Sequence, residues 1–508
     1  MVKTSLVATL LDASHAETLE GLPGAVEWLE VRADQIRSVS VDWLRSQFGG
    51  RLIYSLRSRA EGGNAECSAM ERRHFLLAAA RDYDLINLEA ERDLSPELLS
   101  TVPPHKRLIS WHGQTAGLAD LNSRWEKLSR TEARFYKLTT EAYAPHDALT
   151  PLLFLKSLAA SEVIAYSTGR VGSWNRLISP TFGSPLVFGS FEGAAGEPTM
   201  QQLMVDYGLP AQTSINEIYG IAGDPVAHSL SPRLHNAAYR AMGLRALFLP
   251  FHVESFADFW TAMVENNSLD SLGIRLGGLT VASPHKEAAL GVAAKVSAIA
   301  RRAGSANLLV CDQNGWQADT TDPNVAFAAR AEFGVAMDHR RAAVIGCGGA
   351  GRAIAAALVE EKAEVTLVNR GPERGEHASR LLGLPYIPLK NFDPTGYDIV
   401  VNATPVGRND GQTPVEIEKL EKDATVIDLV YGATPTPLVA GVSGNGRVII
   451  DGRDVLLTQV LRQFQIMTGK RMSAPLARAT LDRQESAAKL LSAPADAGRH
   501  AAAGMIAT

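Results

Sequence analysis

Cysteine is scarce in this chain: Cys67, Cys311 and Cys347 stand far apart among 508 residues, without a CxxC pair or a Cys/His cluster. That excludes a disulfide framework and a cysteine-built zinc site, and no metal is expected. Long hydrophobic runs are missing as well. The opening MVKTSLVATLLD reaches Asp12 after an apolar run too short for a secretory core, and no later run is long enough to span a bilayer. The chain is therefore predicted to be neither exported nor membrane-spanning and to reside in a reducing cytoplasm. Neither sign of charge dominates, with a net charge of -5, a pI near 6.2 and dispersed lysines and arginines. A basic surface for nucleic acid or anionic lipid is not expected, which leaves small molecules as partners.

What is present is a globular composition, 46% hydrophobic and 21% charged, over enough chain for two or three domains. Eight runs rich in β-branched and aromatic residues open the chain: LVATL, VEWLEVR, RLIYSLR, DLINLEA, RLISWHG, RFYKLTT, VIAYSTG and PLVFGSF. Stretches with apolar residues at helical spacing separate them, and strand alternating with helix implies parallel strands. Eight such units suggest an α/β fold of the (β/α)8 TIM barrel kind, with an open doubly wound sheet as the alternative. Residues 208–216 read as a linker. Beyond it, AAVIGCGGAGRAIAAALVEEKAEVTLVNR supplies strand, glycine turn, helix and strand in one block, as in a Rossmann domain. The expected organisation is a barrel at 1–212, a substrate-binding domain at 213–335 completed by about 452–480, a Rossmann domain at 336–451, and an Ala-rich tail at 481–508 that starts helical and ends disordered.

Barrel chemistry gathers at the carboxyl ends of the strands. There stand Glu30 and Arg32 on the second run, Arg57 on the third, Glu89 on the fourth, His112 on the fifth and Lys137 within the sixth, with Arg176 after the seventh. One mouth is expected to collect them. A lysine pointing into a barrel is desolvated and has arginine neighbours, and both effects favour a neutral amine able to attack a ketone. A nearby base such as His112 then removes a proton from the carbon beside the resulting imine. A lone lysine is as readily a rim residue that snorkels to water; the accompanying charged set argues against that.

The ordered motifs EVRAD (30–34), SLRSRAEGG (55–63), SWH (110–112), YKL (136–138) and GRVGSWNR (169–176) resemble type I 3-dehydroquinate dehydratase. The resemblance implies that Lys137 forms an imine with a C3 ketone and that His112 removes the C2 proton and protonates the departing hydroxyl. It further implies that Glu61 tunes His112 and that Arg176 pairs with the substrate carboxylate, while Glu30, Arg32, Arg57 and Thr9 contact the rest. Two departures stand out. Where the family has Ser-Ala-Pro-Gly-Gln this chain reads GAAGE (193–197), placing Gly193 and Glu197 in the last loop, and Asn175 replaces a serine before Arg176. An ionised Glu197 about 4 Å from a substrate carboxylate would repel it by on the order of 4 kcal/mol at an effective dielectric near 20.

In the second unit, Gly346, Gly348, Gly349, Ala350 and Gly351 follow a strand and open a helix, which suits a pyrophosphate at the positive helix end. Asn369, Arg370 and Arg374 stand where NAD binders carry an acid, so NADP(H) is the expected cofactor. Together HSLSP (228–232), LTVASPHK (279–286), GSANL (304–308), TTD (320–322), NATPVG (402–407), DLVYGATPTPL (428–438) and LTQ (457–459) resemble shikimate dehydrogenase. The resemblance implies Lys286 and Asp322 as the acid/base pair and Ser229 and Ser231 as carboxylate ligands. Thr280, Ala282, Asn307, Tyr431 and Gln459 would face the substrate, with Thr404 and Leu429 beside the cofactor. Thr280 and Ala282 stand where the family has Asn and Thr, so preference shifts toward quinate are open, and Leu308 and Thr320 are also atypical. The combined expectation is a bifunctional enzyme; the alternative is an NADP-dependent shikimate/quinate dehydrogenase with a weakened or non-catalytic barrel.

Overall fold

The computed structural model describes residues 4–12, 14, 19, 22–36, 39–158, 162–191, 197–211, 214–432, 434–444 and 446–491, with side chains through residue 482. Gly193, at the altered loop, and the end of the expected tail lie outside the described residues. The chain forms two compact units, one built on residues 1–218 and 243–275, the other on 219–242 and 276–494.

Eight parallel strands make the first sheet: β1 (Ser5–Leu10), β2 (Val26–Arg32), β3 (Arg51–Ser55), β4 (Leu85–Glu89), β5 (Arg107–Gly113), β6 (Phe135–Glu141), β7 (Val163–Thr168) and β8 (Leu186–Ser190). Their order is β7-β6-β5-β4-β3-β2-β1-β8, so β1 to β7 lie side by side in chain order and β8 pairs with β1. Side chains of a strand alternate between faces, and the inward set can be read off by twos. Val7, Trp28, Ile53, Leu85, Leu108, Phe135, Ile164 and Leu186, one from every strand, share a single apolar cluster, which requires the sheet to curl around it into a nearly closed barrel. Two residues further along each strand the inward positions become Thr9, Glu30, Ser55, Asn87, Ser110, Lys137, Tyr166 and Phe188, all buried. The barrel is thus apolar toward its amino end and polar toward its carboxyl end. Lys137 shares the parity of Phe135, which is why an ammonium-bearing residue sits inside a hydrophobic strand.

Beyond the barrel strands, β9 (Glu217–Gly223) and β10 (Ala246–His252) precede β11 (Arg275–Val281), β12 (Lys295–Val296), β13 (Leu308–Asp312) and β14 (Gly315–Asp319). β13 pairs antiparallel with both β11 and β14, and β12 runs parallel to β14. The helix Gly452–Thr468 returns to this layer from far along the chain, its Phe464 ring packing on His235 and Tyr239 of the helix Ser231–Ala241. A six-stranded parallel sheet follows, made of β15 (Arg341–Ile345), β16 (Glu364–Asn369), β17 (Tyr386–Pro388), β18 (Ile399–Asn402), β19 (Thr425–Asp428) and β20 (Ile449–Ile450) in the order β17-β16-β15-β18-β19-β20. The order reverses at β15, where a doubly wound sheet opens a crevice for ligand. Apolar clusters flank this sheet on both faces.

Candidate active sites

The carboxyl end of the barrel holds a pocket lined by Thr9, Glu30, Arg32, Arg57, His112, Lys137, Thr139, Tyr166, Thr168, Phe188 and Glu197. Lys137 is 1% exposed, which places its amine inside the barrel and excludes the snorkelling rim position. Its Nζ lies 3.7 Å from the Phe188 ring centroid and 5.8 Å from that of Tyr166. Glu30 faces it, accepting from Thr9 Oγ1 at 3.0 Å and Ser55 Oγ at 2.7 Å. Burial alone would raise the Glu30 carboxyl, but the charges of Lys137, Arg57 and Arg32 outweigh it and hold the group below the usual carboxylate range. Glu30 stood in the expected set, but the expectation of a neutral amine weighed only the arginines; with this carboxylate facing it, the field around Lys137 is mixed in sign.

His112 Nδ1 lies 2.7 Å from Glu61 Oε2, while Nε2 is buried and has no partner among the described residues. Burial, then the charges of Arg57, Lys137 and Arg32, hold the imidazole well below the ordinary histidine range. Burial, then the Glu89 carboxylate, pushes Glu61 up to about 9. Both directions describe a pair with no net charge near neutrality. Losing one proton from that pair leaves a carboxylate accepting from Nδ1–H and a bare Nε2, the form that acts as a base.

Glu89 does not line the pocket. It accepts from Ser58 N at 2.7 Å and meets Arg72 and Arg92, so its work is to hold the loop carrying Arg57 and Glu61. Arg32 is committed too: its Nε and Nη2 each donate to Asp34 at 2.8 Å, a fork absent from the sequence-based set although Asp34 closes the EVRAD motif. Thr139, Tyr166, Thr168 and Phe188 were also missed, yet their parity on β6, β7 and β8 carries that signal. Arg176 is 1% exposed, sits 4.3 Å over the Tyr166 ring, and donates to Phe188 O and Glu197 Oε1, both at 3.1 Å. The unusual Asn175 is fully buried and bridges Ser167 and Ala148 through three hydrogen bonds, fixing the short helix that carries Arg176.

The second site converges on Asp322. Lys286 Nζ donates to its Oδ2 at 2.7 Å, while Asn307 Nδ2 and Gln459 Nε2 both donate to its Oδ1 at 2.9 Å. The network continues through residues that sequence reasoning missed: Gln463 accepts from Thr280 Oγ1 and donates to Thr321 Oγ1, which in turn donates to Asn307 Oδ1. Thr280 is thereby buried and satisfied within the protein, and the adjacent Ala282 offers no hydroxyl. The atypical Leu308 is fully buried core on β13, and the Thr320 hydroxyl lies 3.5 Å from Asp322 Oδ2. Ser229 Oγ accepts from Ser231 N at 3.3 Å, and Tyr431 is hydrogen-bonded to the Ser229 side chain.

The glycine turn meets this site directly. A Cβ on Gly349 would lie 2.9 Å from the Ser305 Cβ and 3.1 Å from the Lys286 Cβ, so only glycine lets the helix Gly349–Glu360 begin against the lysine loop. On Gly351 a Cβ would fall 1.8 Å from Gly346 O. Gly348 caps that helix without a side chain, leaving its first amide donors and those of Ala350 for a phosphate. Thr404 borders the turn at Gly346, Leu429 is partly buried against the core beneath it, and Arg370 and Arg374 are exposed past β16. Asn369 braces the turn by accepting from Cys347 N at 3.1 Å. A capless helix end, a cradle closed to any Cβ and two free-standing arginines fit a dinucleotide bearing an extra phosphate. No His/Cys/Asp/Glu cluster able to hold a metal occurs among the described residues, and no helix among them is long and apolar enough to cross a membrane.

The family model for type I 3-dehydroquinase matches residues 5–220, and that for the shikimate dehydrogenase substrate binding domain matches residues 221–309. The chain is 26% identical over 509 residues to the bifunctional 3-dehydroquinate dehydratase/shikimate dehydrogenase, chloroplastic, of Arabidopsis thaliana, a match covering 92% of this chain and 82% of that protein. It is 36% identical over 256 residues to the shikimate dehydrogenase (NADP(+)) of Thermococcus kodakarensis, covering 50% of this chain and 91% of that one. A solved shikimate 5-dehydrogenase of Thermus thermophilus, in complex with NADP(H) and shikimate, is 28% identical, with a TM-score of 0.47 and coverage of 53% of this chain and 99% of its own. With a shikimate dehydrogenase over a third identical across nine-tenths of its length, the chain belongs to the shikimate dehydrogenase family, and ahead of that half it carries a barrel that matches the type I 3-dehydroquinase model.

Proposed function

We propose that the barrel dehydrates 3-dehydroquinate to 3-dehydroshikimate and that the second unit reduces this product to shikimate with NADPH. The observation that carries the first half is a buried amine, Lys137, in one pocket with an imidazole whose Nε2 is unpartnered. The amine adds to the C3 ketone and the addition product loses water, giving an imine. The imine draws electrons from C2, His112 takes that proton, and the hydroxyl on C1 leaves with a proton returned by His112. Hydrolysis of the imine frees the amine. Glu61 sets the protonation of His112, and Arg32, Arg57 and Arg176 offer donors to the substrate.

In the second unit the Lys286–Asp322 pair against the glycine turn supports a reduction. NADP(H), when bound, supplies the hydride. The turn and the helix end would hold its pyrophosphate, and Arg370 and Arg374 its 2′-phosphate. Lys286 would donate a proton to the ketone oxygen, with Asp322 orienting the amine and Asn307 and Gln459 fixing Asp322; Ser229 and Ser231 would receive the carboxylate. The cytoplasm is the location inferred from three free thiols, to be tested by fractionation. The test of function is separation of activities: Lys137→Met abolishes dehydration with shikimate oxidation retained, and Lys286→Ala does the reverse. Dehydration surviving in Lys137→Met contradicts the first half, and oxidation surviving in Lys286→Ala the second.

A further inference from the structure

The barrel mouth gathers four cations, Arg32, Arg57, Lys137 and Arg176, against three carboxylates, Glu30, Asp34 and Glu197. Two of these acids are fixed inside the protein. Glu30 is 1% exposed and held by Thr9 and Ser55, and the covered Asp34 forks onto Arg32. Glu197 differs. Its side chain is 33% exposed, and among the described residues its carboxylate has one hydrogen-bonding partner, Arg176 Nη2. Arg176 is the opposite case, a buried cation clamped on the Tyr166 ring and the Phe188 carbonyl, with Nε left unpartnered. A rigid guanidinium with spare donors is what a substrate carboxylate seeks, and here a solvent-accessible carboxylate of the chain already occupies it.

We propose that Glu197 is an intramolecular competitor for the substrate carboxylate, seated on Arg176, so that an anionic ring ketone must displace it in order to bind. This rests on the dehydratase reading above and names its specificity determinant. Burial would raise the Glu197 carboxyl, but the charge and hydrogen bond of Arg176, then Lys137 and Arg57, hold it below the usual carboxylate range, which favours the ionised form seated on Arg176. The glutamate also brings its charge close to the incoming anion, which a neutral amide of the same shape does not.

The test compares the full-length protein with Glu197→Gln and Glu197→Asp. Glu197→Gln lowers the KM for 3-dehydroquinate about tenfold, equivalent to about 1.4 kcal/mol, with kcat within twofold. Glu197→Asp, which keeps the charge on a shorter arm, gains less than Glu197→Gln. An unchanged or raised KM in Glu197→Gln overturns the proposal, and so does an equal gain in Glu197→Asp. Isothermal titration with benzoate, a carboxylate without a ketone, reads the competition apart from turnover, because any binding in the second unit is common to all three proteins. About tenfold tighter benzoate binding in Glu197→Gln supports the competitor even where no variant dehydrates, an outcome that would sink the dehydratase reading alone; equal benzoate binding overturns the competitor.

Discussion

Glu61 is kept protonated by its surroundings, and that has a cost in stability. Its carboxyl is pushed from an ordinary 4.5 up to about 9, so between those values the folded barrel holds a proton that the unfolded chain releases. Stability is then fully present below pH 4.5 and falls as pH rises toward 9, by at most about 1.4 kcal/mol per pH unit for one proton. Glu61→Gln cannot ionise. By calorimetry its Tm should exceed the parent's at pH 8 and match it near pH 4.5, while dehydration falls because His112 loses its route to the base form; a Tm difference independent of pH would contradict this. His112→Ala should cost dehydration about 10²–10⁴-fold in kcat, measured with shikimate oxidation as the internal control. Glu61, in the short turn Arg59–Glu61 off the strands, came only from the family resemblance, whereas Lys137 and His112 were legible in the sequence because a shared barrel end predicts their convergence. The Asp34 fork and the seat of Glu197 on Arg176 were not, since a partner choice among several arginines depends on side-chain directions that spacing leaves free.

The helix Gly349–Glu360 carries a second kind of commitment. Arg352, 1% exposed in its first turns, donates to Ala303 O at 2.8 Å, Cys347 O at 3.3 Å and Glu287 Oε1 at 2.7 Å, tying the glycine turn to the loop that carries Lys286. Arg352→Met would leave buried carbonyls without donors at about 1 kcal/mol each, roughly 2–3 kcal/mol in all. We expect a lower Tm for the second unit and weaker NADP binding by titration; an unchanged NADP Kd would show that the tie does not shape the cofactor turn. Gly351→Ala should be harsher for binding, because its Cβ has no space beside Gly346 O. Strand, glycine turn and helix were readable as a block because their contacts are local. The Gln463 link from Thr280 to Thr321 was not: residues 452–480 were expected to return to that domain, but which side chain of the helix Gly452–Thr468 meets which threonine depends on side-chain directions that the sequence leaves free.

Across the chain, the eight alternating units were legible in the sequence, while the choice between a barrel and an open doubly wound sheet was left to the structure, where β1 to β7 run side by side in chain order and β8 pairs with β1. The division into compact units was less so: residues 243–275 group with the barrel's unit although they follow β9 in sequence. If two complete sites reside in one chain, their defects should complement. Neither Lys137→Met nor Lys286→Ala alone should convert 3-dehydroquinate and NADPH to shikimate, whereas an equimolar mixture should do so after a lag while 3-dehydroshikimate accumulates in solution. NADPH consumption without 3-dehydroshikimate release in the mixture would contradict the two-step account. The account as a whole turns on the chemistry of one buried amine, and borohydride reduction during incubation with 3-dehydroquinate tests it most directly. Peptide mass spectrometry should find the reduced substrate adduct on Lys137 and nowhere else, and its absence in Lys137→Met. An unmodified Lys137, or an adduct on another lysine in the parent protein, would contradict the imine mechanism and leave the reductase standing alone.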